Sequence, residues 1–216
     1  HHCANQRTVY TFCMCPGGQV INASSEPGRL VVNGMSCHAR NSDNANSALL
    51  VGVWPSDFGS DHPLAGVAFQ RQWEERAFDL GGRDYRAPAQ RVEDFLARRS
   101  SSGDLGANSV QPSCLPGVTA SNLNACLPDY ISAALREALP GCDRKLPGFA
   151  MPDALLVGVE TRSSSPVRIN RDMAFESVTV KGLFPAGEGA GYAGGIISSA
   201  VDGIRAAEAV ALKSLG

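Results

Sequence analysis

The segment Gly187-Glu188-Gly189-Ala190-Gly191-Tyr192-Ala193-Gly194-Gly195 carries five glycines in nine residues. Without a Cβ, such backbone can come directly against a ligand. An apolar stretch precedes the run and an amphipathic one follows it. The run is therefore expected to join a strand to a helix, whose first amides lack partners within the helix. The dipole at that end favours negative charge. A tight strand-to-helix turn needs one glycine; five read as room for a ligand. Gly189, Gly191 and Gly194 match G-x-G-x-x-G, the dinucleotide fingerprint. That fingerprint ordinarily opens a βαβ unit, with an acidic residue about 20 positions on. Here only the amphipathic stretch follows before Gly216. The loop is therefore expected to belong to the closing strand and helix of a nucleotide-binding fold. No Gly-Lys-Ser/Thr follows the glycines, which argues against a phosphate-loop hydrolase.

Other reactive residues are more scattered. Seven cysteines stand at 3, 13, 15, 37, 114, 126 and 142. An odd count in a chain of this length reads as free thiols, not as a disulfide framework. Cys13-Met14-Cys15 is too close for a Cys-x-x-Cys zinc knuckle and has no second pair. His1-His2-Cys3 reads as a mobile terminal cluster without fixed ligand geometry, so no metal site is expected. His38 and His62 are isolated, no Ser-His-Asp set or carboxylate pair assembles, and no catalytic residue is assigned.

The elements around these groups change in character along the chain. Thr8–Cys13 is rich in β-branched and aromatic residues and reads as a strand stopped by Pro16-Gly17-Gly18. Gln19–Ala23 resumes extended, Glu26-Pro27-Gly28 turns, and Leu30-Val31-Val32 is a further strand. Asn33-Gly34 then reads as a hairpin turn. Leu49–Val53 is a short buried strand. Helical spacing predicts helices over 61–80, over 88–99 (with Val92, Phe95 and Leu96 inward) and over 128–139. The last has Ile131, Ala134, Leu135 and Ala138 inward and ends at Pro140-Gly141. Leu155–Val159 is a continuous apolar strand of the kind buried on both faces, and 167–169, 178–180 and 183–185 are shorter ones. Strands 155–159 and 183–185 are expected in one sheet. Residues 196–215 form a final helix, with Ile197, Ala200, Val201, Ile204, Ala207 and Val210 or Ala211 as its inward stripe.

At 216 residues the chain is long enough for a sizeable core. With 19 Lys and Arg against 21 Asp and Glu, it lacks the broad basic face of a nucleic-acid binder. No apolar run approaches the ~18 residues of a membrane span, and no secretory leader opens the sequence. A cytoplasmic protein with no membrane partner is expected.

Leu183 to Ile196 resembles the C-terminal FAD motif of two-dinucleotide-binding flavoproteins. Three further blocks narrow the resemblance: Tyr10 to Gly18, Asn33-Gly34-Met35-Ser36, and Glu160-Thr161-Arg162-Ser163-Ser164-Ser165-Pro166. In order, and spread over nearly the full length, they are similar to the uncharacterised bacterial FAD-dependent dehydrogenases. Many related flavoproteins carry Asp at the position of Glu188; within the narrower family Glu is ordinary. Those proteins begin with a Rossmann βαβ carrying the FAD fingerprint, and His1 opens on what reads as mid-protein sequence.

The resemblance implies an α/β fold with an α+β insert: the C-terminal part of a Rossmann-like FAD-binding domain plus an inserted substrate or cap domain. Residues 1–23 would join the two regions, 24–150 form the α+β cap domain, and 151–216 return to the FAD-binding domain. The implied partners are a missing N-terminal FAD-binding segment and a small-molecule substrate of unknown identity. Amides of Gly195 and Ile196 would stabilise reduced flavin, and Glu188 would accept from ribityl or ribose hydroxyls. Gly187, Gly189, Gly191 and Gly194 would bring backbone to the cofactor. Arg162 and Ser163 would line the flavin or substrate side, the alternative being a polar loop with Arg162 paired to Glu160. Pro16, Gly17 and Gly18 would lie against the isoalloxazine, which is compatible with a plain β-turn. Disulfide-exchange flavoproteins space their cysteines more widely than Cys13 and Cys15, so no catalytic disulfide is expected. The function implied is that of a fragment of an FAD-dependent oxidoreductase; a non-catalytic α+β module binding a ligand or partner is the alternative.

Overall fold

A computed structural model describes residues 1–107 and 110–215. It is a mixed α and β structure divided into two compact units. The first is His1–Asp57 with Gln70–Thr161, and the second is Phe58–Phe69 with Arg162–Gly216. The first unit thus takes in residues on both sides of positions 23/24 and 150/151.

Three small sheets build the first unit. β1 (Val9–Cys15) pairs antiparallel with β4 (Asn46–Val51). β2 (Gly18–Asn22) lies between β3 (Val32–Ser36), antiparallel, and β6 (Cys114–Leu115), parallel. β5 (Ala87–Arg91) lies between β7 (Val118–Ala120), parallel, and β8 (Leu155–Val157), antiparallel. Helices α1 (Ala65–Gly81), α2 (Val92–Leu96) and α3 (Asp129–Lys145) complete the order before the last helix. The core gathers Val9, Val32, Ala77, Ala87, Phe95, Cys114, Ala134, Leu135, Ala138 and Leu139 from the three sheets and three helices, with Leu30 and Leu123 from the segments between. The α3 stripe read from the sequence is the face that packs there: Ala134 and Ala138 are fully buried and Ile131 packs alongside.

Several expectations are corrected. The helix expected over 88–99 begins as strand β5, and only Val92–Leu96 is helical. Every residue of β5 is buried, so tertiary context overrides the helix preference of Ala, Gln and Arg. Its polar side chains tie down neighbouring loops. Gln90 Nε2 donates to the Arg99 carbonyl at 2.7 Å and Gln90 Oε1 accepts from Leu123 N at 2.9 Å. The Arg91 guanidinium reaches the carbonyls of Val110, Leu105 and Asp153 and pairs with the Asp153 carboxylate at 3.0 Å.

Asn33-Gly34 is not a turn; β3 runs straight through it. A Cβ on Gly34 would lie 2.4 Å from Asn46 Oδ1. The Asn46 amide bridges the carbonyls of Gln19 (3.1 Å) and Met35 (3.3 Å). Glycine is there for close approach, not for a reversal. α3 does not end at Leu139 but continues through Pro140 to Lys145, with Leu139 and Gly141 both buried on its packed side. β8 is shorter than expected and only half-buried, and it pairs with β5.

In the second unit the strands expected at 167–169, 178–180 and 183–185 do not form; a single bridge, Arg171 with Ser177, stands there. The sheet expected of 155–159 with 183–185 is accordingly not made. Side chains take up the backbone donors instead. Asp172 Oδ1 accepts from Ala174 N (2.9 Å) and Glu176 N (3.1 Å), and Ser177 Oγ accepts from Thr179 N and Val180 N, both at 3.3 Å. The final helix, α4 (Ile196–Leu215), carries a further correction. Its packed side is Ser199, Asp202, Gly203, Ala206 and Ala209, at i, i+3, i+4, i+7 and i+10. The stripe expected inward is exposed: Ile197 75%, Val201 42%, Ile204 60% and Val210 40%.

Candidate functional site

The glycine run is a defined loop leading into α4. Gly187 and Gly191 have φ of +72° and +83°, in the left-handed region that favours glycine. A Cβ on Gly191 would sit 2.5 Å from the Val167 carbonyl oxygen and 3.0 Å from Arg168 Cα. Tyr192 N donates to the Gly187 carbonyl at 3.1 Å and Gly191 N to that of Glu188 at 2.9 Å, which curls the loop upon itself. Ile169 N reaches the Ala190 carbonyl at 3.1 Å, and Ser165 Oγ the Gly189 carbonyl at 3.1 Å.

A clamp that sequence reading missed fixes this loop to the helix. Arg171 forms a two-pronged pair with Asp202 of α4, at 3.0 and 2.6 Å, and donates to the Pro185 carbonyl at 2.7 Å. Asp202 Oδ2 also accepts from Gly187 N at 2.8 Å. The Arg171 guanidinium, followed by the Gly187 amide, holds the Asp202 carboxyl below the usual carboxylate range, and Asp202 in turn raises Arg171. Arg171 lies 3.7 Å from the Tyr192 ring centroid, and Arg168 lies 4.4 Å from it. The Tyr192 hydroxyl donates to the Ile169 carbonyl at 2.9 Å and accepts from Arg171 N at 3.1 Å. Arg171 and Asp202 are 31 residues apart in a pattern no motif describes, and Asp202 is one of two acids on a helix that also carries Arg205 and Lys213.

The remaining glycines differ. A Cβ on Gly189 or Gly194 meets nothing within 4 Å, and one on Gly195 meets only Ser198 Oγ at 3.5 Å. None of the three has a positive φ. The chain's own packing therefore does not require glycine at these positions, and they leave open room beside the start of α4. Gly195 caps that helix, its carbonyl accepting from Ser199 N at 2.9 Å. Glu188 is half-buried, and among the described residues its carboxylate has no hydrogen-bond partner. These features fit a polyhydroxylated, anionic group such as FAD: open backbone, first-turn amides without partners inside the helix, and the Glu188 carboxylate.

The other candidate residues fall into two places. Arg162 is exposed and Ser163 half-buried, in the same unit as the loop. Just before them, Thr161 is held by two α1 side chains: its carbonyl accepts from Gln70 Nε2 at 2.9 Å, and its hydroxyl donates to the fully buried Glu74 at 2.7 Å. Pro16, Gly17 and Gly18 lie in the first unit. There a Cβ on Gly17 (φ +61°) would strike the Arg40 carbonyl carbon at 2.3 Å, and one on Gly18 the Asn46 amide at 2.3 Å. Packing against the chain thus accounts for both glycines.

All seven cysteines are free thiols. Burial pushes Cys114 up to about 11 and Cys126 up to about 12, which leaves both as inert protonated thiols at neutral pH. Cys13 is exposed at a β1 bulge, with φ of +53°.

Residues 1–163 match the family of FAD-dependent proteins, C-terminal domain-like. The chain belongs to that family. An uncharacterized protein of Clostridium beijerinckii is 56% identical over 203 residues, covering 94% of this chain and 38% of the relative. The chain thus spans well under half of that relative's length. The match to the C-terminal domain of FAD-dependent proteins covers the first unit and reaches Ser163; the glycine loop lies beyond it. No helix among the described residues is long and apolar enough to cross a membrane.

Proposed function

We propose that this chain is the C-terminal part of an FAD-dependent oxidoreductase of the two-dinucleotide-binding type, and that its glycine loop meets the cofactor. The observation that carries this reading is the pair of glycine classes in one loop. Gly187 and Gly191 are glycine because the fold needs them, whereas Gly189, Gly194 and Gly195 are glycine where the fold does not. Membership of a family of FAD-dependent proteins supplies the ligand.

FAD, when bound, supplies the two-electron redox chemistry. The chain's own residues bind and orient. The amides of Gly195 and Ile196, at the positive end of α4, would donate to an electron-rich acceptor on the ring. Glu188 would accept from sugar or ribityl hydroxyls. Arg162 and Ser163 would line the ring or the substrate side. The exposed stripe of α4, together with Val178 (60% exposed), Val180 (52%) and Leu183 (42%), would be covered by the N-terminal FAD-binding segment, in a Rossmann-like domain completed by both parts. The substrate is a small molecule that no residue here names.

In the intact flavoprotein, Gly195→Val should weaken FAD retention about ten- to a hundredfold, as expected for loss of a charge-assisted hydrogen bond of roughly 1.5–3 kcal/mol. The flavin midpoint potential should fall as well. Glu188→Gln should do less, because the amide keeps an acceptor oxygen. FAD dissociation and potentiometry of both variants beside wild type test this. Normal FAD retention at an unchanged potential in Gly195→Val would reduce the loop to a turn. An intact protein without flavin absorbance would favour a non-catalytic binding module.

A further inference from the structure

We propose that His1, Cys3 and Glu137 form a zinc site in the first unit, separate from the glycine loop. His1 Nε2, Cys3 Sγ and a Glu137 carboxylate oxygen all lie within 4.8 Å of one another. His1 Nε2 and Glu137 Oε1 are already 3.3 Å apart. Read from the sequence, His1-His2-Cys3 has no fixed geometry. The fold supplies one through a helix that begins more than a hundred residues later.

Residues 1–3 are held extended: Val9 N donates to the His1 carbonyl and Cys3 N to that of Arg7, both at 2.8 Å, with His2 bridged to Thr8. In extended chain, residues i and i+2 share a side, so His1 and Cys3 both face α3. His2 points elsewhere, its Nδ1 3.1 Å from Thr8 Oγ1. On α3, Ala134 and Glu137 are one turn apart, and the buried Cys3 thiol donates to the Ala134 carbonyl at 3.5 Å. Ala4 N donates to both Glu137 oxygens, at 3.0 and 3.1 Å, which fixes the carboxylate as outer-shell donors fix metal ligands. One turn further, a Cβ on Gly141 would lie 3.1 Å from His1 Nδ1, so glycine leaves room for the imidazole.

A thiolate, an imidazole and a carboxylate suit zinc or a similar borderline divalent ion, whereas magnesium and calcium want oxygen donors. Donors at 2.0–2.3 Å around a tetrahedral ion stand about 3.3–3.8 Å apart. Side-chain rotation through about 1 Å therefore closes the cluster. Binding converts the Cys3 thiol to thiolate and releases that proton to solvent. Water takes the fourth position.

The test uses the intact protein, stripped with chelator and titrated with Co²⁺ as a spectroscopic stand-in. The expected result is one ion per chain, with a thiolate-to-cobalt charge-transfer band and tetrahedral ligand-field bands, both displaced by Zn²⁺. Cys3→Ser should abolish the charge-transfer band. His1→Ala and Glu137→Gln should weaken Co²⁺ binding at least tenfold. The double variant Cys13→Ser/Cys15→Ser should bind as wild type does. X-ray absorption of the zinc-loaded wild type, which needs no variant to fold, should find one sulfur and three nitrogen or oxygen neighbours. No stoichiometric band, a band that survives Cys3→Ser or is lost with Cys13 and Cys15, or a zinc shell with no sulfur or several would each overturn the site.

Discussion

α3 and α4 are both long helices with an apolar stripe at helical spacing, yet they treat it in opposite ways. α3 turns Ala134, Leu135, Ala138 and Leu139 into the core of the first unit, where each is at most 7% exposed. α4 turns Asp202, Gly203 and Ala206 toward its own unit and leaves Ile197, Val201 and Ile204 outside. What holds α4 in place is a charge pair and small residues, not its hydrophobes. An amphipathic stripe therefore reports that a partner surface is wanted; it does not report that the surrounding residues supply it.

That contrast can be broken or sharpened by substitution. Phe95, fully buried in the same core as α3, should cost about 3–5 kcal/mol as Phe95→Ala, read from denaturant unfolding of the first unit. Asp202→Ala leaves Gly187 N without its acceptor and Arg171 with only the Pro185 carbonyl, and should cost the second unit about 2–3 kcal/mol. Amide exchange across 185–192 is the sensitive measure. If it is unchanged, the clamp does not hold the loop.

Protonation tests the same pair without mutation. Asp202 titrates below its unfolded value, so its contribution is fully present above about pH 4 and is lost as pH falls through the lower folded value. Asp57, held down in the same direction first by Arg7, adds to the acid sensitivity of the first unit. Stability of the second unit should drop below about pH 4 in wild type and be flatter in Asp202→Asn; equal slopes would refute the pair's role. The smallest effect belongs to the outer stripe. Ile204→Ser should move the stability of this chain by no more than about 0.5 kcal/mol, while lowering the melting temperature of the intact flavoprotein. A large loss in the chain alone would mean that the stripe is packed after all.

These two helices also mark where sequence reading succeeds. The α3 stripe was legible because its partners are local to the unit. The α4 periodicity was equally clear, but the direction it faces depends on the Arg171 pair, which has no sequence signature. Pro88–Arg91 failed for a related reason: Ala, Gln and Arg prefer helix, and only burial on both sides by β7 and β8 makes them strand. Asn33-Gly34 carries the right residues for a turn, but the Asn46 amide explains its glycine. Of the candidate site, the glycines and Glu188 were readable as a run. Arg171, Asp202 and the ring contacts of Tyr192 were not, because they converge only in space.

The contacts of the Tyr192 ring with the Arg168 and Arg171 guanidinium groups give the molecule an optical label. The two tryptophans, Trp54 and Trp73, both lie in the first unit, whereas Tyr192 is the only tyrosine of the second. Indole fluorescence therefore follows the first unit alone. The near-ultraviolet dichroism of a phenol ring held beside two guanidinium groups adds a signal from the glycine loop. Melting of the loop, or its rigidification when a ligand arrives, can thus be followed with no probe attached, and Tyr192→Phe identifies the band.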